Sequence, residues 1–335
     1  MGIVPEVVTV IGSDQPSRIV ERDEHLLLSE PHPGPAPVKP REGDTLLSVV
    51  HHPQEYAAQP PAPPHGVYES AQVRVEWQMT DGRQPFYRRN CDVDEISYQI
   101  THQRTLMSEI GIVEHQPGEF SRIPRGVAHD SRGRRESHLL FYAPAPVSEE
   151  QTPVRTSQEI IPPFPGWQPG QVNEAVTQRM GTSGHDMCVF SVDELKLLEQ
   201  VHADKERLCL LRGSGEPGMT WRYGSAGFHL GIVRLAASKQ RVYRRVLDAD
   251  QIQYQVSGHR TLISQRGIVE LGPGDFVRIP LGIAHMSLCG EQSEHIALYV
   301  NRELRQIAET ARIAEPYTPG RHVAFFPGVY RSCPA

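Results

Sequence analysis

From Gly66 onward the chain alternates apolar and polar residues in short runs. Gln72-Val-Arg-Val-Glu-Trp-Gln-Met79 and Glu95-Ile-Ser-Tyr-Gln-Ile100 change face at every residue, as a half-buried strand does. Gly111-Ile-Val-Glu-His115 and Phe120-Ser-Arg-Ile-Pro124 follow, with Gly or Pro between the runs. Short strands punctuated in this way predict an antiparallel all-β sandwich or barrel. A helical period surfaces in two places. Ser191 precedes Glu194 in a capping-box spacing, and Leu195, Leu197, Leu198 and Val201 form an apolar stripe behind it. Residues 301–313, NRELRQIAETARI, read as a second short helix.

The strand pattern occurs twice. Residues 87–131 and 243–287 align without a gap, and 26 of the 45 positions are identical. The period is too long for a solenoid, so one supersecondary unit has been duplicated. Four segments follow: a proline-rich arm (1–65) with little core of its own, a first β-unit (66–150), a linker with a helix (151–205), and a second β-unit (206–335). The last closes with the 301–313 helix and an aromatic tail containing Tyr317, Phe325, Phe326 and Tyr330.

Composition narrows the partners. The chain has 335 residues and a formal charge of -6, which argues against nucleic acid or an anionic membrane surface. No apolar run approaches the ~20 residues of a membrane span, and the first residues carry no secretory pattern. Five scattered cysteines without a Cys-x-x-Cys pair suit reduced thiols in a cytoplasm. Sixteen histidines leave material for metal or acid–base chemistry. A small-molecule substrate is the expected partner, with a homo-oligomer left open.

Two further motifs carry a resemblance. Gly118-x5-Pro124-x-Gly126-x2-His129 and Gly274-x5-Pro280-x-Gly282-x2-His285 resemble the second motif of the cupin superfamily. The resemblance implies two tandem jelly-roll barrels, a bicupin, with a few short helices. The first cupin motif, which supplies three metal ligands, is degenerate: Arg89, Cys91 and Glu95 fall at its positions in copy one, and Arg245, Leu247 and Gln251 in copy two. Tyr87-Arg88-Arg89-Asn90-Cys91 further resembles a segment of homogentisate 1,2-dioxygenases. Arg88 stands where that family has an iron-binding histidine, and a guanidinium offers no lone pair.

The resemblance implies an Fe(II) site in copy one held by Glu95 and His129, and a third ligand would come from His138, Cys91 or the arm (His51, His52, His65). Arg89 and Tyr98 are then the groups expected to orient a small aromatic or carboxylated substrate, as in a ring-cleaving dioxygenase. Substrate-binding candidates are Arg88 and Gln99 in copy one and Gln251, Gln255 and His285 in copy two. Alternation puts Glu95, Ser97 and Gln99 on one strand face and Ile96, Tyr98 and Ile100 on the other. Either face could line the lumen. The competing expectation is a metal-free bicupin, serving as a binding module or as a cofactor-independent isomerase or lyase.

Overall fold

The computed structural model describes residues 2–13, 16–29, 46–58, 64–144, 146–179, 185–213, 215–238 and 240–317. The proline cluster at 31–37, most of that at 60–64, and Phe325, Phe326 and Tyr330 lie outside them. The fold is all-β, with two tandem barrels and two short α-helices, Glu24–Ser29 and Glu194–Glu199. Among the described residues no helix is long and apolar enough to cross a membrane.

In barrel 1, strands Phe86–Asn90, Val93–Thr101, Arg104–Ser108, Gly111–His115 and Glu119–Ile123 lead into a strand of 17 residues, Ala128–Pro144. Its first part pairs with Phe86–Asn90 and Arg104–Ser108. Its second part pairs with Val93–Thr101 and Arg74–Arg83. The register shifts just after Gly133, where a Cβ would stand 1.9 Å from Thr80 Oγ1. Only glycine permits so close a crossing. Barrel 2 repeats the order with Tyr243–Val246, Asp250–Ser257, Arg260–Ser264, Gly267–Leu271 and Asp275–Ile279. There the long strand is divided into His285–Leu288 and Ser293–Val300.

Each barrel is completed by chain from the other half. Ile3–Thr9 lies parallel to Tyr243–Val246, and Ser48–His51 lies antiparallel to Asp275–Ile279, both in barrel 2. Gln171–Gln178 and Cys209–Arg212 make the same two pairings in barrel 1, with Phe86–Asn90 and Glu119–Ile123. Matching buried carboxylates fasten the exchanged segments. Glu6 meets Arg245 and Glu174 meets Arg89, each at 2.6 Å. Glu24 accepts from Tyr243 Oη at 3.1 Å, and Glu194 from Tyr87 Oη at 3.0 Å. The duplication thus reaches beyond the 45 aligned residues. Strands of barrel 2 lie within the expected arm (1–65), and strands of barrel 1 begin within the expected linker (151–205).

Two helix expectations need correcting. Ser191 lies in strand His185–Asp193, and the cap of the following helix is Asp193, whose carboxylate accepts from the Lys196 N–H at 3.1 Å. Residues 301–313 form no helix. Arg305–Gln306 pairs with strand His65–Glu69 and Arg312–Ile313 with Ser48–His51. Leu304 is fully buried, the Ile307 N–H bonds the Val67 carbonyl at 3.0 Å, and the Arg312 guanidinium pairs with Asp275. A segment this short gains little from helix propensity, so these long-range contacts win.

The largest apolar cluster lies between the barrels and draws on both. Its repeat-equivalent pairs are Tyr98 on Phe120 and Tyr254 on Phe276, with ring centroids 4.6 Å apart in each case. Exchange plus this seam makes the two halves interdependent. A protease site placed in the segment 163–169 should yield a nicked protein that elutes undissociated in native buffer. Separation into two independently folded halves on size-exclusion chromatography would contradict the exchange.

Candidate functional site

The seam decides which face of strand Val93–Thr101 looks inward. Ile96 and Tyr98 join the apolar cluster, so by alternation Glu95, Ser97 and Gln99 point into barrel 1. The next ladder obeys the same rule: Leu139 and Phe141 enter the seam, and His138, Leu140 and Tyr142 turn to the lumen. A cavity of about 40 Å³ results, lined among others by Arg88, Glu95, Arg104, His129, His138, Tyr142 and Arg179. On that measure it has room for about three water molecules.

Two imidazole–carboxylate pairs face this cavity. His129 Nε2 stands 3.4 Å from Glu95 Oε2, which also accepts from Asn90 Nδ2 at 2.9 Å. Burial favours a neutral Glu95, but His129, Arg179 and the Asn90 bond outweigh it and hold the carboxyl well below the usual range. His129 Nδ1 faces the Val127 carbonyl at 3.2 Å, so both ring nitrogens are placed to donate. His138 is arranged oppositely. Its Nδ1 meets Glu136 Oε2 at 2.9 Å, and its fully buried Nε2 has no hydrogen-bond partner among the described residues. Burial and the nearby Arg104 push the His138 pKa down. The ring is therefore neutral with Nδ1 protonated, and Nε2 carries a bare lone pair.

Three guanidiniums complete the wall. Arg179 lies over the Tyr142 ring, 4.7 Å from its centroid, and 3.7 Å from the buried Glu76. Arg88 bonds Thr177 Oγ1 at 2.8 Å and Asp186 at 3.3 Å, and burial and Arg179 lower its pKa. Arg104 donates to Ser97 Oγ at 2.8 Å. Three of these charged groups escaped sequence analysis. Arg179 arrives on the exchanged segment, and its counterpart in the repeat is Ile11, so no repeated motif marks it. Glu76 shares the polar face of its strand with Arg74 and Gln78, and Glu136 sits two residues before His138 on one face. Those two were legible by alternation.

Other expected site residues lie elsewhere. Cys91 follows the strand end and is exposed, with its Sγ 3.6 Å from Met187 Sδ, so it is no ligand of this cavity. Arg89 points away from the lumen and is taken up by Glu109, Glu174 and the Gly126 carbonyl. Tyr98 is a seam residue and touches no part of the cavity. Gln99 sits behind His138 and donates to Glu136 at 2.6 Å. From the arm, His52 stacks on Trp77 at 4.5 Å and His51 pairs with Asp275 at 2.8 Å.

The donor set for iron does not fit. Among the described residues no three His, Cys, Asp or Glu side chains group closely enough to hold a metal ion. Glu95 and His129 are spent on each other, and His138 is held by Glu136. The Arg88 guanidinium, which cannot ligate, adds positive charge instead.

In barrel 2 the equivalent lumen loses its carboxylates and one of its guanidiniums. Gln251 replaces Glu95, Ser293 replaces Glu136, Gly231 replaces Glu76 and Ile11 replaces Arg179. Gln253 and Gln255 face inward and accept from the buried Arg260, at 2.6 and 2.7 Å. His285 and His295 remain, without carboxylate partners.

No family model matches the chain, and no curated protein matches it. Solved structures similar to it include a cupin 2 conserved barrel domain protein from Leptotrichia buccalis, at 8% identity and a TM-score of 0.45, covering 73% of this chain and 92% of that one. A Bacillus subtilis oxalate decarboxylase variant has 12% identity and a TM-score of 0.43 and covers 80% of each chain. A salicylate 1,2-dioxygenase variant from Pseudoaminobacter salicylatoxidans has 12% identity and a TM-score of 0.45, covering 73% and 80%. At such levels the chemistry has to be read from the residues themselves.

Burial, opposed by a bond to the Ile283 carbonyl and reinforced by Arg260, lowers the His285 pKa from 6.5 to about 4. Below pH 6.5 the unfolded chain takes up a proton that the folded barrel refuses until about pH 4. Stability should therefore fall through that window, by roughly 3 kcal/mol at its lower end. Urea unfolding of wild type and His285→Asn across the window checks this. The variant should lose stability less steeply, and parallel curves would contradict the assignment.

Proposed function

We propose that barrel 1 is an acid–base active site for a small carboxylate-bearing substrate and that barrel 2 is not. The observation that carries this reading is the opposed pair of imidazoles on one cavity. His138 Nε2 is a bare lone pair oriented by Glu136, and His129 is a ring set to donate and balanced by Glu95. One ring with a bare lone pair to accept a proton and a second placed to donate a hydrogen bond across the same cavity are what proton transfer at a carbon next to a carbonyl needs. His138 takes the proton, and His129 protonates or hydrogen-bonds the developing enolate oxygen. Arg88 and Arg179 grip the carboxylate, with Arg104 behind His138. An isomerisation or a lyase step uses this set without any added cofactor. The replacement of both carboxylates by Gln251 and Ser293 supports a single working barrel.

A panel of small 2-keto and 2-hydroxy acids, incubated with the protein in D₂O, tests the reading by NMR. Wild type should exchange solvent deuterium into the carbon next to the carboxyl-bearing carbonyl of at least one member. His138→Gln and Glu136→Gln should slow that exchange by roughly 10²–10⁴-fold, and a chelator should leave it unchanged. Failure of all members, or equal exchange by the variants, contradicts it.

A second reading rests on the ligand types. Two imidazoles and a carboxylate on one cavity are the donors of a ferrous oxygenase of the homogentisate 1,2-dioxygenase kind. It requires Glu95 and His129 to separate and His138 to leave Glu136. Oxygen uptake that appears only with added Fe(II), and stops with Glu95→Ala, would favour it over proton transfer.

A further inference from the structure

Barrel 1 and barrel 2 differ at one position in a way that takes a carboxylate away from three buried neighbours in barrel 2. In barrel 1 the Glu136 carboxylate serves three neighbours. It accepts from His138 Nδ1 at 2.9 Å and from Gln99 Nε2 at 2.6 Å, and it is the foremost negative charge acting on the buried Arg104. In barrel 2 all three neighbours persist, as His295, Gln255 and Arg260, but the acid is Ser293. Gln255 Nε2 has turned to Ser293 Oγ at 2.7 Å. Asp275 is the carboxylate that still acts on Arg260, from beyond ion-pair distance, and the Cys289 thiol lies beside both Arg260 and Ser293. His295 Nδ1, the atom that matches the satisfied His138 Nδ1, is buried with no hydrogen-bond partner among the described residues.

Arg260 is the more telling group. It is 2% exposed, and its side-chain bonds go to neutral oxygens of Gln253, Gln255 and Ser287. Those bonds use three of its five N–H groups. Among the described residues no carboxylate lies within ion-pair distance of it. A buried guanidinium without a counter-charge is costly, and folded proteins supply one by pairing or by binding an anion. The shortening from Glu to Ser removes the carboxylate and one methylene from the same place and leaves a hydroxyl there. Gln251 Oε1, the counterpart of the Glu95 carboxylate, is a further buried acceptor in this lumen without a partner among the described residues.

We infer that barrel 2 binds a small carboxylate in the position vacated by the Glu136 side chain, held by Arg260, the His295 Nδ1–H and Ser293 Oγ. The chemical class is a carboxylic acid of one or two carbons, matching the methylene and carboxylate by which Glu136 exceeds Ser293. A hydroxyl on such an acid would donate to Gln251 Oε1. The site is a binding site, without the paired acid and base of barrel 1, and the inference stands apart from the chemistry proposed there.

Sodium formate is the probe, titrated at constant ionic strength against the unfolding temperature of the full chain. Wild type should show a saturable rise. Ser293→Glu, which restores the internal carboxylate, should lose at least half of it. Barrel 1 also carries guanidiniums, so the readout is the difference between the two proteins; a failure of the proton-transfer reading leaves that difference intact. Identical responses in both proteins, or no saturable response in wild type, would overturn the inference. If Ser293→Glu does not fold, His295→Leu takes its place: formate Kd should rise at least tenfold, and an unchanged Kd overturns the site.

Discussion

The apolar seam between the barrels is the constraint on which the rest depends. Ile96, Tyr98, Leu139 and Phe141 of one half meet Ile252, Tyr254, Ile296 and Leu298 of the other in a single cluster. A strand has only two faces. Once these residues are committed to the seam, Glu95, Gln99, His138 and Tyr142 must face the lumen. A one-residue slip would put Tyr98 in the cavity and Glu95 in the apolar cluster, at the expense of a buried, unpaired carboxylate. The charged cavity is thus a consequence of how the two barrels are joined.

The exchange of lead-in segments reinforces that dependence. Arg179 reaches the cavity of barrel 1 on a segment that begins the second half of the chain, while Ile11 occupies the matching place in barrel 2. Each site is therefore assembled from both halves, and divergence of one lead-in alters the chemistry of the opposite barrel. Buried latches at Glu6, Glu24, Glu174 and Glu194 hold the exchanged chain in register. Breaking one such pair by removing a single partner costs about 3–5 kcal/mol in comparable buried settings.

Much of the architecture is legible in the sequence. Period-two alternation predicts the strands, the gapless alignment of 45 positions reveals the duplication, and His129 Nε2 stands 3.4 Å from Glu95. The misses have physical causes. Arg89 and Cys91 are neighbours of lumen residues in sequence, and alternation carries Arg89 to the outer face while the strand ends before Cys91. Tyr98 could not be placed until the seam fixed its face. The 301–313 segment has helical composition, but it is too short to resist sheet-edge partners on both barrels. Glu136 and Glu76 share strand faces with recognised residues and could have been found. Arg179 could not, because nothing in a single sequence reveals an exchange between halves.

The asymmetry between the lumens carries the functional account. Barrel 1 keeps carboxylates beside both of its imidazoles, and barrel 2 keeps the imidazoles alone. The claim narrows to the protonation state of one ring, which ¹⁵N-detected NMR of the histidine side chains reads directly at neutral pH. The account expects His138 to be neutral, protonated at Nδ1 in a strong bond to Glu136, with Nε2 bare. An imidazolium at His138, or a proton on Nε2, would contradict it.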